Sequence, residues 1–201
     1  MGDAFDHCCK RMVMMANPAR RLEAARQKYP ALGVAEILVW REYLRLHEAE
    51  YSVLPDSWLA FRATTPQPPP QPGDVFDYNL RIGTGRDPGP EFDQSIRDQW
   101  VEKTKFRVDA VGFQGQQPFL FEVDRHAGGP QVGQLLSYAA IWRATKLTPA
   151  DPQLVLVSAD INENAMHLVR ESNIQAVTVP VDFRVLSPYS TVPIGGTEGT
   201  S

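Results

Sequence analysis

The chain has 201 residues, 43% of them hydrophobic, and a formal net charge of -4 from 20 basic and 24 acidic side chains. That is enough apolar material for one domain with a real core and appendages, and it excludes a fibre or a wholly solvated tail. The acidic balance also excludes a protein that coats nucleic acid through widely spread lysine and arginine, so any contact with a phosphate backbone must be local.

The N-terminal stretch "MGDAFDHCCKRMVMM" carries acids where a signal peptide would have a basic region and an apolar core, and no apolar run in the chain is long enough to span a bilayer. The expectation is a cytoplasmic protein, neither secreted nor inserted in a membrane. Cys8 and Cys9 are the only cysteines. As neighbours they cannot staple distant segments, and alone they cannot complete a zinc site, which wants four ligands. Met12, Met14 and Met15 precede a better helix start than anything upstream, so translation from one of them would delete both cysteines.

Asn17 and Pro18 are suited to cap and open a short helix that ends before Pro30. A stronger helix is predicted in "GVAEILVWREYLRLHEAEY", where Val34, Ile37, Leu38, Trp40, Tyr43 and Leu44 recur at helical spacing and should pack on a sheet. The run 64–73, "TTPQPPPQPG", must be extended, because proline lacks a donor and forces its predecessor out of the α region. It reads as a linker or a surface strap. "VFDYNLRI" reads as a strand and "GTGRDPGP" as a solvent loop, since the glycines lack the Gly-Lys-Ser/Thr ending of a phosphate-binding loop. "EFDQSIRDQWVEKTK" is a short helix before a strand at 106–113, which pairs through a breaker-rich turn with a strand at 119–123. Pro130 opens a helix of about four turns through Ala144. A solid apolar strand "LVLVSA", a capped helix "DINENAMHLVRES" and a last strand "IQAVTV" follow, which implies a sheet covered on both faces. The tail 180–201 lacks a helical period and reads as an arm or as disordered.

An acidic triplet carries the chemistry. Glu122 and Asp124 in "FLFEVD" share a face by strand alternation, and Asp109 in "FRVDAVGF" can lie beside them from the neighbouring strand. Oxygen ligands of this kind suit Mg²⁺ or Mn²⁺ better than zinc, and metal-assisted phosphodiester hydrolysis is the chemistry they point to. The bland alternative is a solvent-facing pair on a half-exposed hairpin.

The element order, helix, three strands, helix, strand, helix, strand, resembles the PD-(D/E)XK nuclease-like superfamily over residues 33–179, with a tail and short helix at 1–32 before it. The resemblance implies an α/β fold with a three-layer core, a mixed sheet flanked by helices. It also implies that Asp109 and Glu122 bind metal, and it matches the Gln-x-x-x-Tyr signature of the RecB-like branch to Gln134 and Tyr138, four residues apart on one helix face. Gln131 is near that face. An acid from the long second helix often completes the family's site, and Glu36 is the choice for it here. Val108 stands where the motif has proline. Asp124 stands where it has lysine, which would stabilise charge developing on the phosphate; Arg125, His126 or Lys105 are the nearby positive groups in sequence.

Two readings follow from the resemblance. One is an Mg²⁺- or Mn²⁺-dependent nuclease acting on DNA, with Asp109, Glu122 and Asp124 as metal ligands and Gln134 and Tyr138 orienting water or backbone. The other is a catalytically inactive structural or adaptor protein, virion-associated in a phage particle or part of another nucleoprotein assembly, whose Pro-rich strap and C-terminal arm contact neighbouring protein subunits.

Overall fold

A computed structural model of the chain describes residues 24–184. The cysteine pair, the three early methionines, the Asn17 cap and the tail from 185 onward lie outside those residues. The predicted first helix is seen as the helical turn at 24–28, and Tyr29 and Leu32 after it are buried.

Helix α1 spans Val34–His47 and runs into a 3-10 turn at Glu48–Glu50. Its first N–H groups lack intrahelical partners, and the Glu36 carboxylate accepts the Gly33 N–H at 2.5 Å. Its inner face, Ile37, Val39, Trp40 and Tyr43, is buried as the apolar spacing requires. Helix α2, Asp56–Arg62, was not foreseen from sequence: seven residues are too few to show a period. Strand β1 is Phe76–Ile82, helix α3 is Gln94–Thr104, and strands β2 and β3 are Phe106–Gln114 and Gln117–Ala127. Helix α4 is Gly129–Thr145, strand β4 is Gln153–Ile161, helix α5 is Glu163–Glu171 and strand β5 is Ile174–Thr178.

The five strands lie in chain order, with β1, β2 and β3 antiparallel and β3, β4 and β5 parallel. Gly115, with φ +60, is the first of the two residues in the β2–β3 turn, a geometry that favours glycine. Gly112 is required by contact instead, because a Cβ there would meet the Phe76 ring at 2.7 Å. Strand β3 continues past the expected end at 123, because Asp124, His126 and Ala127 pair with Ser158, Asp160 and Ile161. For the same reason Asp160 and Ile161 belong to β4, and α5 starts only after the Asn162 cap, whose side chain accepts the Asn164 N–H.

The sheet is covered on both faces, which gives the mixed, three-layer α/β architecture. On one face Leu135, Ala139 and Trp142 of α4 pack with Val111, Leu120 and Leu156, and Trp142 stacks on Trp58 of α2 at 5.3 Å. On the other, Trp40 of α1 meets Phe76 and Phe121 edge-on at 5.2 Å. Edge-to-face rings at this spacing add about 0.5–1.5 kcal/mol each to their burial.

The Pro-rich run 64–73 is held against the sheet by side-chain contacts. Arg62, fully buried, donates to the Asp77 carboxylate of β1 at 2.6 Å and to the Pro68 carbonyl at 3.0 Å. Gln67 accepts the Arg81 N–H at 3.0 Å and donates to the Asn79 carbonyl at 3.4 Å, so the strap lies along the outer edge of β1. Among the described residues, no helix is long and apolar enough to cross a membrane.

Candidate functional site

The β2–β3 ladder ends early. Its last pair is Ala110 with Phe121, whereas β1 stays paired with β2 out to Phe106 and β4 stays paired with β3 out to Ala127. The first half of β2 therefore follows β1, the second half of β3 follows β4, and the sheet opens into a fork. Register carried one step past the last pair brings Asp109 opposite Glu122. Its carboxylate fills the lost rung, accepting the Val123 N–H at 2.9 Å. Asp109 thus turns into the gap where pairing stops, and it lines one cavity with Glu122.

Glu122 turns toward α4, where Tyr138 O–H lies 2.9 Å from its Oε2 and 2.8 Å from the Arg107 carbonyl. Tyr138 thus links the two arms of the fork. The one hydroxyl proton is shared between these two acceptors, unless Glu122 is protonated and donates to the tyrosine oxygen.

A cavity of about 400 Å³ occupies the fork, lined by Glu36, Asp109, Glu122 and Asp124 together with Lys105 and Arg107. Gln131, Gln134 and Tyr138 close its α4 side. The five residues singled out in the motifs, Asp109, Glu122, Asp124, Gln134 and Tyr138, therefore meet at one place, with Gln134 exposed and Tyr138 buried. Among the described residues, no three Asp, Glu, His or Cys side chains form a group that could hold a metal ion. Asp124 shows why. Its Oδ1 accepts the His126 N–H at 2.8 Å and its Oδ2 accepts from Gln131 at 2.6 Å, while Gln131 also accepts the Gly128 N–H and so fixes the start of α4.

Of the positive groups named from sequence, only Lys105 lines the cavity. Arg125 lies over the Phe183 ring at 4.3 Å, and His126 faces Asp160 at 3.6 Å. Arg107 is the group that sequence reasoning passed over. Its one signal was position, two residues before Asp109 on the same strand.

Burial pushes the Asp109 carboxyl up to about 7, helped by the Glu36 charge and opposed by the Val123 N–H and Arg107. Burial also pushes Glu122 up to about 9, with repulsion from Asp109 next in weight. The two repel, so the protons belong to the pair. Both carboxyls keep protons in the folded protein at pH values where an unfolded chain has released them. The folded state thus binds more protons between about 4 and about 9, and stability is lost as pH rises through that window. In chelator, the melting temperature should fall from the acidic to the alkaline end of this window. Glu122→Gln should flatten the alkaline part of the fall. A melting temperature that climbs with pH across the same window would contradict the assignment.

No protein-family model matches the chain, and no curated protein does. Among solved structures it is similar to a repair endonuclease from Pyrococcus abyssi, at 18% identity and TM-score 0.34, over 38% of this chain and 34% of that one. It is also similar to EndoMS in a complex with dsDNA, at 18% identity and TM-score 0.33, over 55% of this chain and 39% of that one. The chain spans well under half the length of either.

Proposed function

We propose that this chain is a nuclease-like protein that hydrolyses phosphodiester bonds in DNA, with Mg²⁺ or Mn²⁺ held by Asp109 and Glu122. The observation that carries the reading is the fork: two buried acids from neighbouring strands face one open polar cavity, and among the described residues neither forms an ion pair with a cation. Buried carboxylates of this kind need a proton or a metal ion to compensate them. Hard oxygen donors, one or two carboxylates and room for water suit Mg²⁺ in particular.

A divalent ion at this position supplies an acidified water and neutralises charge on the phosphate. The chain's own residues do the rest. Asp109 and Glu122 would hold the ion as carboxylates, with their protons released to water, so affinity for the ion should strengthen as pH rises. Tyr138 holds Glu122 in place from the side away from solvent, and Gln134 on the rim positions the strand. Arg107 and Lys105 take over the electrostatic part of the motif lysine, because they line the same cavity. Cleavage of labelled single- and double-stranded DNA with Mg²⁺, Mn²⁺ or chelator tests the reading; a purified protein that binds no divalent ion and cuts neither substrate would end it.

The rival reading, an inactive scaffold in a phage particle or another assembly with protein subunits as partners, draws its support from Asp124. That residue occupies the position of the motif lysine and is tied to Gln131 and the His126 amide. We assign it to positioning α4 rather than to the metal. Asp124→Asn keeps acceptor capacity for the His126 amide and should reduce cleavage by about tenfold, the low end for groups that orient a ligand. A loss as deep as that of Glu122→Gln would make Asp124 a ligand after all.

A further inference from the structure

We propose that Phe106 is a stacking platform for an unpaired base, which makes single-stranded nucleic acid the substrate class of the fork; this rests on the nuclease reading above. Phe106 is the first residue of β2, paired with Ile82, yet its side chain is 45% exposed and lines the cavity. A large ring at the start of a paired strand loses stability by facing water, since burial of apolar surface is favourable. Its exposure has a use if a flat apolar partner arrives.

The surroundings select that partner. The Phe106 ring stands edge-on to Tyr138, with centroids 6.2 Å apart and planes at 79°, and Tyr138 bonds directly to Glu122. The ring is thus one aromatic side chain away from the acids. Lys105 and Arg107 flank it in sequence and line the same cavity, Lys105 held by Glu102 and Arg107 by the Ala31 carbonyl at 3.2 Å. A ring and two cations lining one cavity match a nucleotide, with the base on the ring and the phosphates on the cations, and they match an apolar peptide poorly. Bases inside a duplex keep their faces against one another, so an unpaired base can lie on Phe106 where a base within a duplex cannot.

The test is binding of labelled oligothymidylate, oligouridylate and a blunt DNA duplex, with Ca²⁺ in place of Mg²⁺ and strand integrity checked on a gel. Phe106→Ala should weaken both single strands by about tenfold, within the range measured for base–aromatic stacking, and leave the duplex unchanged within about twofold. Phe106→Trp should restore single-strand binding. A single strand carrying 2-aminopurine should lose fluorescence with wild type and with Phe106→Trp, and keep it with Phe106→Ala. A difference between the two single strands tells DNA from RNA with the platform intact. Equal losses on strand and duplex, or no loss on the strand, overturn the platform. Wild type that binds duplex alone removes the platform and leaves the nuclease reading standing, whereas wild type that binds none of the three removes both.

Discussion

Glu122→Gln should bring DNA cleavage down by at least about 100-fold while the protein stays folded. The amide has the shape of the carboxyl and can still meet Tyr138, whose hydroxyl lies 2.9 Å away in the wild type, so the packing of α4 on β3 is kept. What is lost is the ability to ionise and bind a hard cation. Groups that merely orient a ligand are worth about 10–100-fold in metal affinity, so removing the ligand itself should cost no less. Folded stability should move the other way at neutral to alkaline pH, because a buried acid held up to about 9 by burial no longer has to release its proton there. Calorimetry with Mg²⁺ or Mn²⁺ and thermal melts, run beside the cleavage assay, separate the two effects. Undiminished cleavage would remove Glu122 from the chemistry.

Arg62→Ala should destabilise the chain by about 3–5 kcal/mol, the usual consequence of breaking a buried pair and leaving one charge uncompensated. For a chain of this size that is roughly 6–20 °C in melting temperature. Arg62 and Asp77 are almost wholly buried, and the Asp77 carboxylate accepts from both Arg62 and the Trp58 indole. The same guanidinium reaches Thr65 and the Pro68 carbonyl, so α2, the strap and β1 all lose a partner at once. Replacing both, as Arg62→Met with Asp77→Leu, should recover much of the loss, since two apolar groups leave no unpaired charge. Denaturant unfolding of the two single variants and the double one closes the cycle; a double variant that loses the sum of the singles would mean that the pair does not act as a unit.

The hairpin was legible because "FRVDAVGF" and "FLFEVD" alternate and the turn between them is full of breakers. Helix α4 was legible from Pro130 and the spacing of Leu135, Ala139 and Trp142. These are local signals. The fork was not legible, since alternation says which way a side chain points only while the ladder lasts, and the ladder stops at Ala110 with Phe121. Asp124 read as a third ligand because period two places it beside Glu122, and that much holds: both turn toward α4. Its engagement by Gln131 depends on how α4 docks, which no spacing within β3 encodes. Arg62 and Asp77 stand 15 residues apart with no spacing that links them, and become partners only once the strap folds back.

The strap has a further effect on how this molecule behaves among its neighbours. β1 is an outer strand of the sheet, and a bare outer strand is a template onto which another chain can add itself. Gln67 takes up the Arg81 N–H and the Asn79 carbonyl, so part of that template is already occupied. A cover made of ordinary residues would only move the problem outward by presenting a new row of donors. Pro66, Pro68, Pro69, Pro70 and Pro72 offer none, so growth of the sheet in that direction halts at the strap. The residues that look like a spacer thus act as a terminus for the sheet, guarding the chain against self-association along β1.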